Sequence, residues 1–269
     1  MERSRSEVKK FVALGDSFTE GVGDVDPTRP NQVRGWADRV SEVLCAEGEW
    51  EYANLAVRGK KIGQVINQQL DQALALAPDL VTIYAGGNDI LRPKADLDAL
   101  MRGYEGMVSR FAEAGSAVVL FTGFDTVESP LFSKTRPRTA IYNEKVREIA
   151  DEYGAVIADY WRWREFSDLR YWAVDRLHMN ELGHTLMASK VLDVLGTHRI
   201  TEGNWSSRIQ QPSLPELAVN SRGEKLKQEL GWAREHLAPW VKRRITGTSS
   251  GDSLSAKYPD YIRLTADAN

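Results

Sequence analysis

Phe11-Val12-Ala13-Leu14-Gly15-Asp16-Ser17-Phe18-Thr19-Glu20-Gly21 is the stretch around which the chain is organised. Phe11 to Leu14 reads as a buried strand, a short apolar run that stops abruptly at a glycine, an acid and a serine. A serine just past a parallel strand stands on the rim where α/β folds bind ligands. A helical turn after it would aim unpaired N–H groups at that rim and favour negative charge there. Such a serine is placed to attack a carbonyl. The plainer alternative is a strand followed by an ordinary Ser N-cap.

Working outward, the same alternation repeats. After a polar loop, Gly21 to Val33, the residues Trp36, Val40, Val43 and Leu44 recur at helical spacing, and that helix ends near Gly48. Trp50 to Leu55 is a second strand, and Ile62, Val65, Ile66 and Leu70 line the next helix. Leu80 to Ala85 is a third, β-rich strand that ends in Gly86-Gly87-Asn88-Asp89. A helix over 97–114, a strand over 117–121, a helix over 139–153 and a short strand over 155–158 follow. The 123–137 loop carries two prolines and is not expected to be helical throughout. An aromatic stretch, Tyr160-Trp161-Arg162-Trp163 with Tyr171-Trp172, precedes Asp175-Arg176-Leu177-His178, and Asn180 caps a last helix running to Leu195. Strands and helices at this interval predict an α/β fold: a three-layer α/β/α sandwich on a five-stranded parallel sheet of flavodoxin-like order.

Residues 200–269 break the pattern. The 201–221 segment is polar with two prolines, Gly223 to Ile245 contains a helical segment, and Ser249 to Ser253 has a flexible composition. We expect a domain over 1–199 and a helical and extended appendage over 200–269 that packs on the core, is not an independent domain and carries no chemistry of its own.

Composition narrows the class. With 269 residues, 42% hydrophobic and 27% charged, the chain has the make-up of an ordinary globular protein, and a net charge of −3 gives no reason to expect nucleic acid as partner. Cys45, the only cysteine, cannot form an internal disulfide and falls in an amphipathic segment. Met1 to Lys10 lacks the apolar core of a secretory signal and no stretch is long enough to span a bilayer, so the expectation is a cytoplasmic protein without a membrane anchor. His178 and His184 are six residues apart and have no accompanying thiolates, which is not metal-ligand spacing, so neither metal nor cofactor is expected.

A parallel sheet brings its strand ends to one edge. Ser17 follows the first strand, Gly59 the second, Asn88 the third, and Asp175 and His178 the fifth. Serine acyl transfer needs a hydroxyl, a base, an acid that orients the base, and donors for the oxyanion. His178 is the candidate base for Ser17, and Asp175, three residues earlier, the candidate for its remote nitrogen. Gly59 offers an unobstructed N–H and Asn88 a side-chain amide. Asp16 is read as an acceptor orienting the turn, Asp89 as a cap for the helix after it, and His184 as a structural histidine.

Gly15-Asp16-Ser17, Gly59 in its loop from Asn54, Gly86-Gly87-Asn88-Asp89 and Asp175-Arg176-Leu177-His178 occur in the order found in the SGNH hydrolases, also called GDSL esterases/lipases, which this chain resembles over residues 11–196. Phe18 stands where the family's short name has leucine, and Thr19 excludes the Gly-x-Ser-x-Gly turn of α/β-hydrolases. The resemblance implies Ser17 as nucleophile, a triad completed by Asp175 and His178, and an oxyanion hole from the Ser17 and Gly59 N–H groups with the Asn88 side chain. The expected activity is hydrolysis of a small-molecule carboxylic ester, with acetyl or other short acyl groups favoured because no long apolar lid helix is visible. A thioester or an acetylated sugar would suit the same triad. A flavodoxin-like nucleotide or flavin binder is a different class, disfavoured because Glu20 would face the phosphate.

Overall fold

Phe11, Val12, Ala13 and Leu14 are all buried because the strand they form has a neighbour on each side and a helical layer on each face. The computed structural model describes residues 8–126, 132–216 and 249–265 together with Gly231 and Glu235; the helical segment expected between Gly223 and Ile245 lies outside them apart from those two residues. The strands are β1 (Lys9–Gly15), β2 (Trp50–Asn54), β3 (Leu80–Tyr84), β4 (Ala117–Phe121), β5 (Val156–Ala158) and β6 (Tyr258–Ile262), in the order β5-β4-β3-β1-β2-β6. The first five are parallel, with Phe11 opposite Tyr52 on one side and Leu80 on the other.

Alternation along β1 sorts the core into two layers. Phe11 and Ala13 face Trp36, Val40 and Leu44 of α2 (Gly35–Glu47) and Val191 and Leu192 of α8 (Glu181–Thr197). Val12 and Leu14 face the other layer. It is built from α3 (Ile62–Val65), α4 (Asp71–Ala75), α6 (Leu97–Glu113) and α7 (Arg136–Tyr153). Two single turns, α1 (Ser17–Glu20) and α5 (Gly87–Ile90), follow β1 and β3.

The expected five-stranded sheet carries a sixth strand. Residues of the C-terminal extension form β6, which pairs antiparallel with β2 through Tyr52–Ile262 and Asn54–Tyr258. Pro259 has no N–H to donate, and an outer-edge strand is where a proline is tolerated. One residue before β6, Lys257 is fully buried, and its three ammonium hydrogens meet Glu20 O at 3.0 Å, Arg34 O at 2.6 Å and Asp38 Oδ2 at 2.8 Å. Burial lowers the Lys257 pKa and raises that of Asp38, to about 6, while each charge opposes the other's shift. Among the described residues no helix is long and apolar enough to cross a membrane.

Candidate active site

β1 ends at Gly15, whose φ of +145° suits glycine, and a Cβ there would stand 2.2 Å from the Tyr84 carbonyl oxygen of β3. The same residue is clamped from the other layer. Gln69 accepts from Gly15 N at 2.9 Å and donates to Gly15 O at 2.8 Å. Gln69 sits in a π-helical turn, Ile66–Leu70, between α3 and α4. Such turns recur at functional sites.

The residue that caps α1 is Asp16, not Ser17. Asp16 Oδ1 accepts from Phe18 N at 3.1 Å, which leaves Ser17 as the first helical residue, half-buried, with its hydroxyl not used as a cap. Side chains also hold the far end of this turn: Asn54 Nδ2 donates to Thr19 O at 3.0 Å and Lys257 to Glu20 O. Glu20 is fully buried and accepts from the Arg58 N–H at 2.6 Å, from the Arg58 guanidinium at 2.8 Å and from Asn31 at 3.0 Å. This ion pair ties the Ser17 turn to the loop that contains Gly59.

Asn88, in α5, directs its amide at two acceptors, Asp16 Oδ2 at 3.1 Å and Lys60 O at 3.0 Å. Asp89 does not cap the helix it lies in; its Oδ2 accepts from Ile62 N at 3.0 Å, at the start of α3. Burial pushes the Asp16 carboxyl up to about 7, against the Phe18 N–H, nearby His178 and the Asn88 amide, all of which favour its charged form.

Asp175 and His178 lie on the loop between β5 and α8. Asp175 Oδ1 accepts from the N–H groups of Leu177 and His178 at 3.0 and 3.1 Å, a local turn that the aspartate builds for itself. Its Oδ2 lies 2.6 Å from His178 Nδ1. Partial burial raises the Asp175 pKa, but the His178 hydrogen bond and charge and the two N–H groups outweigh it and leave the carboxyl below its ordinary value.

Ser17, Asn88 and His178 line one cavity of about 140 Å³. Its walls include Phe18, Tyr84, Phe124, Tyr160 and Trp172, with the Phe18 and Tyr84 rings 4.3 Å apart and those of Phe124 and Trp172 4.8 Å apart. Of the aromatic stretch, Tyr160 and Trp172 reach the cavity, whereas Trp163 packs on Tyr160 and Tyr171 on Phe166. Gly59 does not line it; the glycine lies on the adjoining loop at φ +80°, one residue before the carbonyl that accepts from Asn88.

His184 is fully buried at the cavity's edge. Its Nδ1 accepts from Trp36 N at 3.1 Å, so Nε2 carries the hydrogen and donates to Val22 O at 3.2 Å. Burial lowers its pKa from 6.5 to about 4. An unfolded histidine takes up a proton below pH 6.5 and the folded one does not until about pH 4, so stability from this group is lost as pH falls through that window. The free-energy gap between the wild type and His184→Gln should therefore shrink by roughly 3 kcal/mol between pH 7 and pH 4. Urea unfolding of both proteins across that range checks this, and a gap independent of pH contradicts it.

Gln69, Glu20, Arg58 and Asn54 carry no signature that sequence reading could have used. Each is a single polar residue with a partner at the site that is 35 or more positions away.

A model of the GDSL-like lipase/acylhydrolase family matches residues 13–186. No curated protein matches the chain. Similar solved structures include LAE5, an α/β hydrolase enzyme from the metagenome of Lake Arreo, Spain (21% identity, 70% of this chain and 95% of that one, TM-score 0.60). The esterase EstA from Pseudoalteromonas sp. shares 17% identity over 72% of this chain and all of its own, with a TM-score of 0.58. Axe2, an acetylxylan esterase from Geobacillus stearothermophilus, shares 20% over 70% of this chain and 94% of its own, with a TM-score of 0.57. At these identities the likeness is one of fold.

Proposed function

Since the chain belongs to the GDSL-like lipase/acylhydrolase family and is an enzyme that hydrolyses ester bonds, we propose that it does so through an acyl-enzyme on Ser17, with His178 as base and Asp175 as the acid that orients it. The observation that carries this reading is the 2.6 Å contact between Asp175 Oδ2 and His178 Nδ1, on a histidine that shares its cavity with Ser17. With Nδ1–H donated to Asp175, Nε2 is the nitrogen left to accept the Ser17 proton. Ser17 Oγ attacks the acyl carbon, and the carbonyl oxygen becomes an oxyanion held by the N–H groups of Ser17 and Gly59 and by Asn88 Nδ2. One Asn88 hydrogen, now on Asp16 or Lys60 O, is shared with that oxygen as charge develops. Collapse expels the alcohol, which takes the proton from His178. Water, deprotonated by the same imidazole, then releases the acid and restores Ser17.

The substrate we favour is an ester of a short acyl group. A cavity of about 140 Å³ is well below the ~300–1,000 Å³ of pockets that take drug-sized ligands. An acetylated carbohydrate is a second reading, suggested by the fold shared with Axe2, an acetylxylan esterase. We read residues 1–199 as the hydrolase domain and 200–269 as an extension of it. Turnover of p-nitrophenyl acetate, butyrate and decanoate, with an acetylated sugar beside them and Ser17→Ala as blank, tests the substrate class. The expected kcat/KM falls at least tenfold from acetate to decanoate, a difference of about 1.4 kcal/mol. A rise with chain length contradicts the short-acyl reading.

A further inference from the structure

The chain beyond the family match returns to the loop that carries Gly59. Ser249 Oγ donates to Arg58 O at 3.2 Å and itself accepts from Gly251 N at 3.1 Å. Ser249 N donates to Asp252 Oδ2 at 2.7 Å, and Asp252 N to Ser249 O at 3.2 Å, so the hydroxyl is held in a closed turn. Gly251 lets that turn come close, since a Cβ on it would stand 2.2 Å from Arg58 O. A Cβ on Gly59 would stand 1.9 Å from Ser249 Oγ. The turn and the loop thus meet backbone to backbone.

Arg58 O and the Gly59 N–H belong to one peptide unit, and none of the peptide bonds among the described residues is cis. In a planar trans peptide the C=O and N–H point in opposite directions. A hydroxyl that pins the Arg58 carbonyl outward therefore turns the Gly59 N–H away from the C-terminal segment. On the residue's other side the Arg58 N–H and guanidinium are held by Glu20, and Lys60 N donates to Val57 O at 3.4 Å across the turn, so the Ser249 contact adds a hold on the carbonyl itself.

We infer that Ser249 is a positioning residue for the oxyanion hole: its hydroxyl holds the Arg58–Gly59 peptide so that the Gly59 N–H is presented to the oxyanion. This rests on the assignment of Gly59 as a donor made above. It gives the C-terminal extension a part in catalysis, where the sequence suggested none.

The test is Ser249→Ala and Ser249→Thr in the full chain, with kcat expressed per site titrated by a fluorophosphonate, alongside KM for p-nitrophenyl acetate and the melting temperature. Deleting an oxyanion donor outright lowers kcat about 10²–10³-fold; loosening one should lower it by about tenfold. The expected result is that loss in Ser249→Ala, with KM and titratable sites unchanged, and recovery of most of the rate in Ser249→Thr. Unchanged kcat per site in Ser249→Ala overturns the inference, as does a loss explained by fewer titratable sites. Ser17→Ala run in parallel separates the two levels: if it keeps activity, the acyl-enzyme reading has failed, whereas if it is inactive and Ser249→Ala is normal, only the positioning role has.

Discussion

His178→Ala is expected to lower kcat for a short ester by about 10⁴–10⁶-fold, the range seen when the base of a serine triad is removed. Ser17 lies half-buried at the start of α1, where a hydroxyl without a base remains protonated at neutral pH. Asp175 is a poor substitute, because the backbone N–H groups of residues 177 and 178 still hold its Oδ1 and keep the carboxylate where the Nδ1 side of the ring had been, not on the Nε2 side proposed to serve Ser17. The donors proposed for the oxyanion remain in the variant, which is why some activity should survive. Since the imidazole is half-buried on a loop, the melting temperature should move little. Steady-state kinetics with a melting curve checks this; a loss below tenfold in a folded variant would assign the proton to another group.

Asn88→Ala should lower kcat by about 10²–10³-fold, as expected when one oxyanion donor is deleted. The side chain does more than donate. It bridges Asp16 Oδ2 and Lys60 O, and so joins the turn that bears Ser17 to the loop that bears Gly59. Without it the buried Asp16 carboxylate loses a donor that favours its charged form, so a stability loss of about 1–3 kcal/mol should accompany the kinetic one. Kinetics and urea unfolding of the same preparation read both effects. A normal kcat would move the donor role away from Asn88.

The parts legible in the sequence are those where local chemistry and burial agree. β1 is readable because four apolar residues end at Gly-Asp-Ser, and α8 because Asn180 precedes its apolar stripe; its side chain accepts from Gly183 N at 3.0 Å. The Asp175–His178 pair is readable because a three-residue spacing on a turn lets the two side chains meet. What stayed hidden depends on partners distant in the chain. β6 has five residues, one of them a proline, and its apolar positions gain meaning from pairing with β2, some two hundred residues earlier. Lys257 reads as a surface charge until Asp38 and two carbonyls are placed around it. Gln69 looks like the polar face of a helix, and nothing local announces the π turn that aims it at Gly15. The start of α7 at Arg136, ahead of the expected 139, follows from Pro137 occupying the first turn of a helix, where a missing N–H does no harm.

The account turns on one oxygen becoming nucleophilic. Its most direct test is to treat the wild type, Ser17→Ala and His178→Ala with a fluorophosphonate and locate the adduct by peptide mass spectrometry. The predicted result is a single adduct on the peptide containing Ser17 in the wild type, none in Ser17→Ala, and labelling slowed by orders of magnitude in His178→Ala. A stoichiometric adduct in Ser17→Ala, or one on another serine of the wild type, would contradict it.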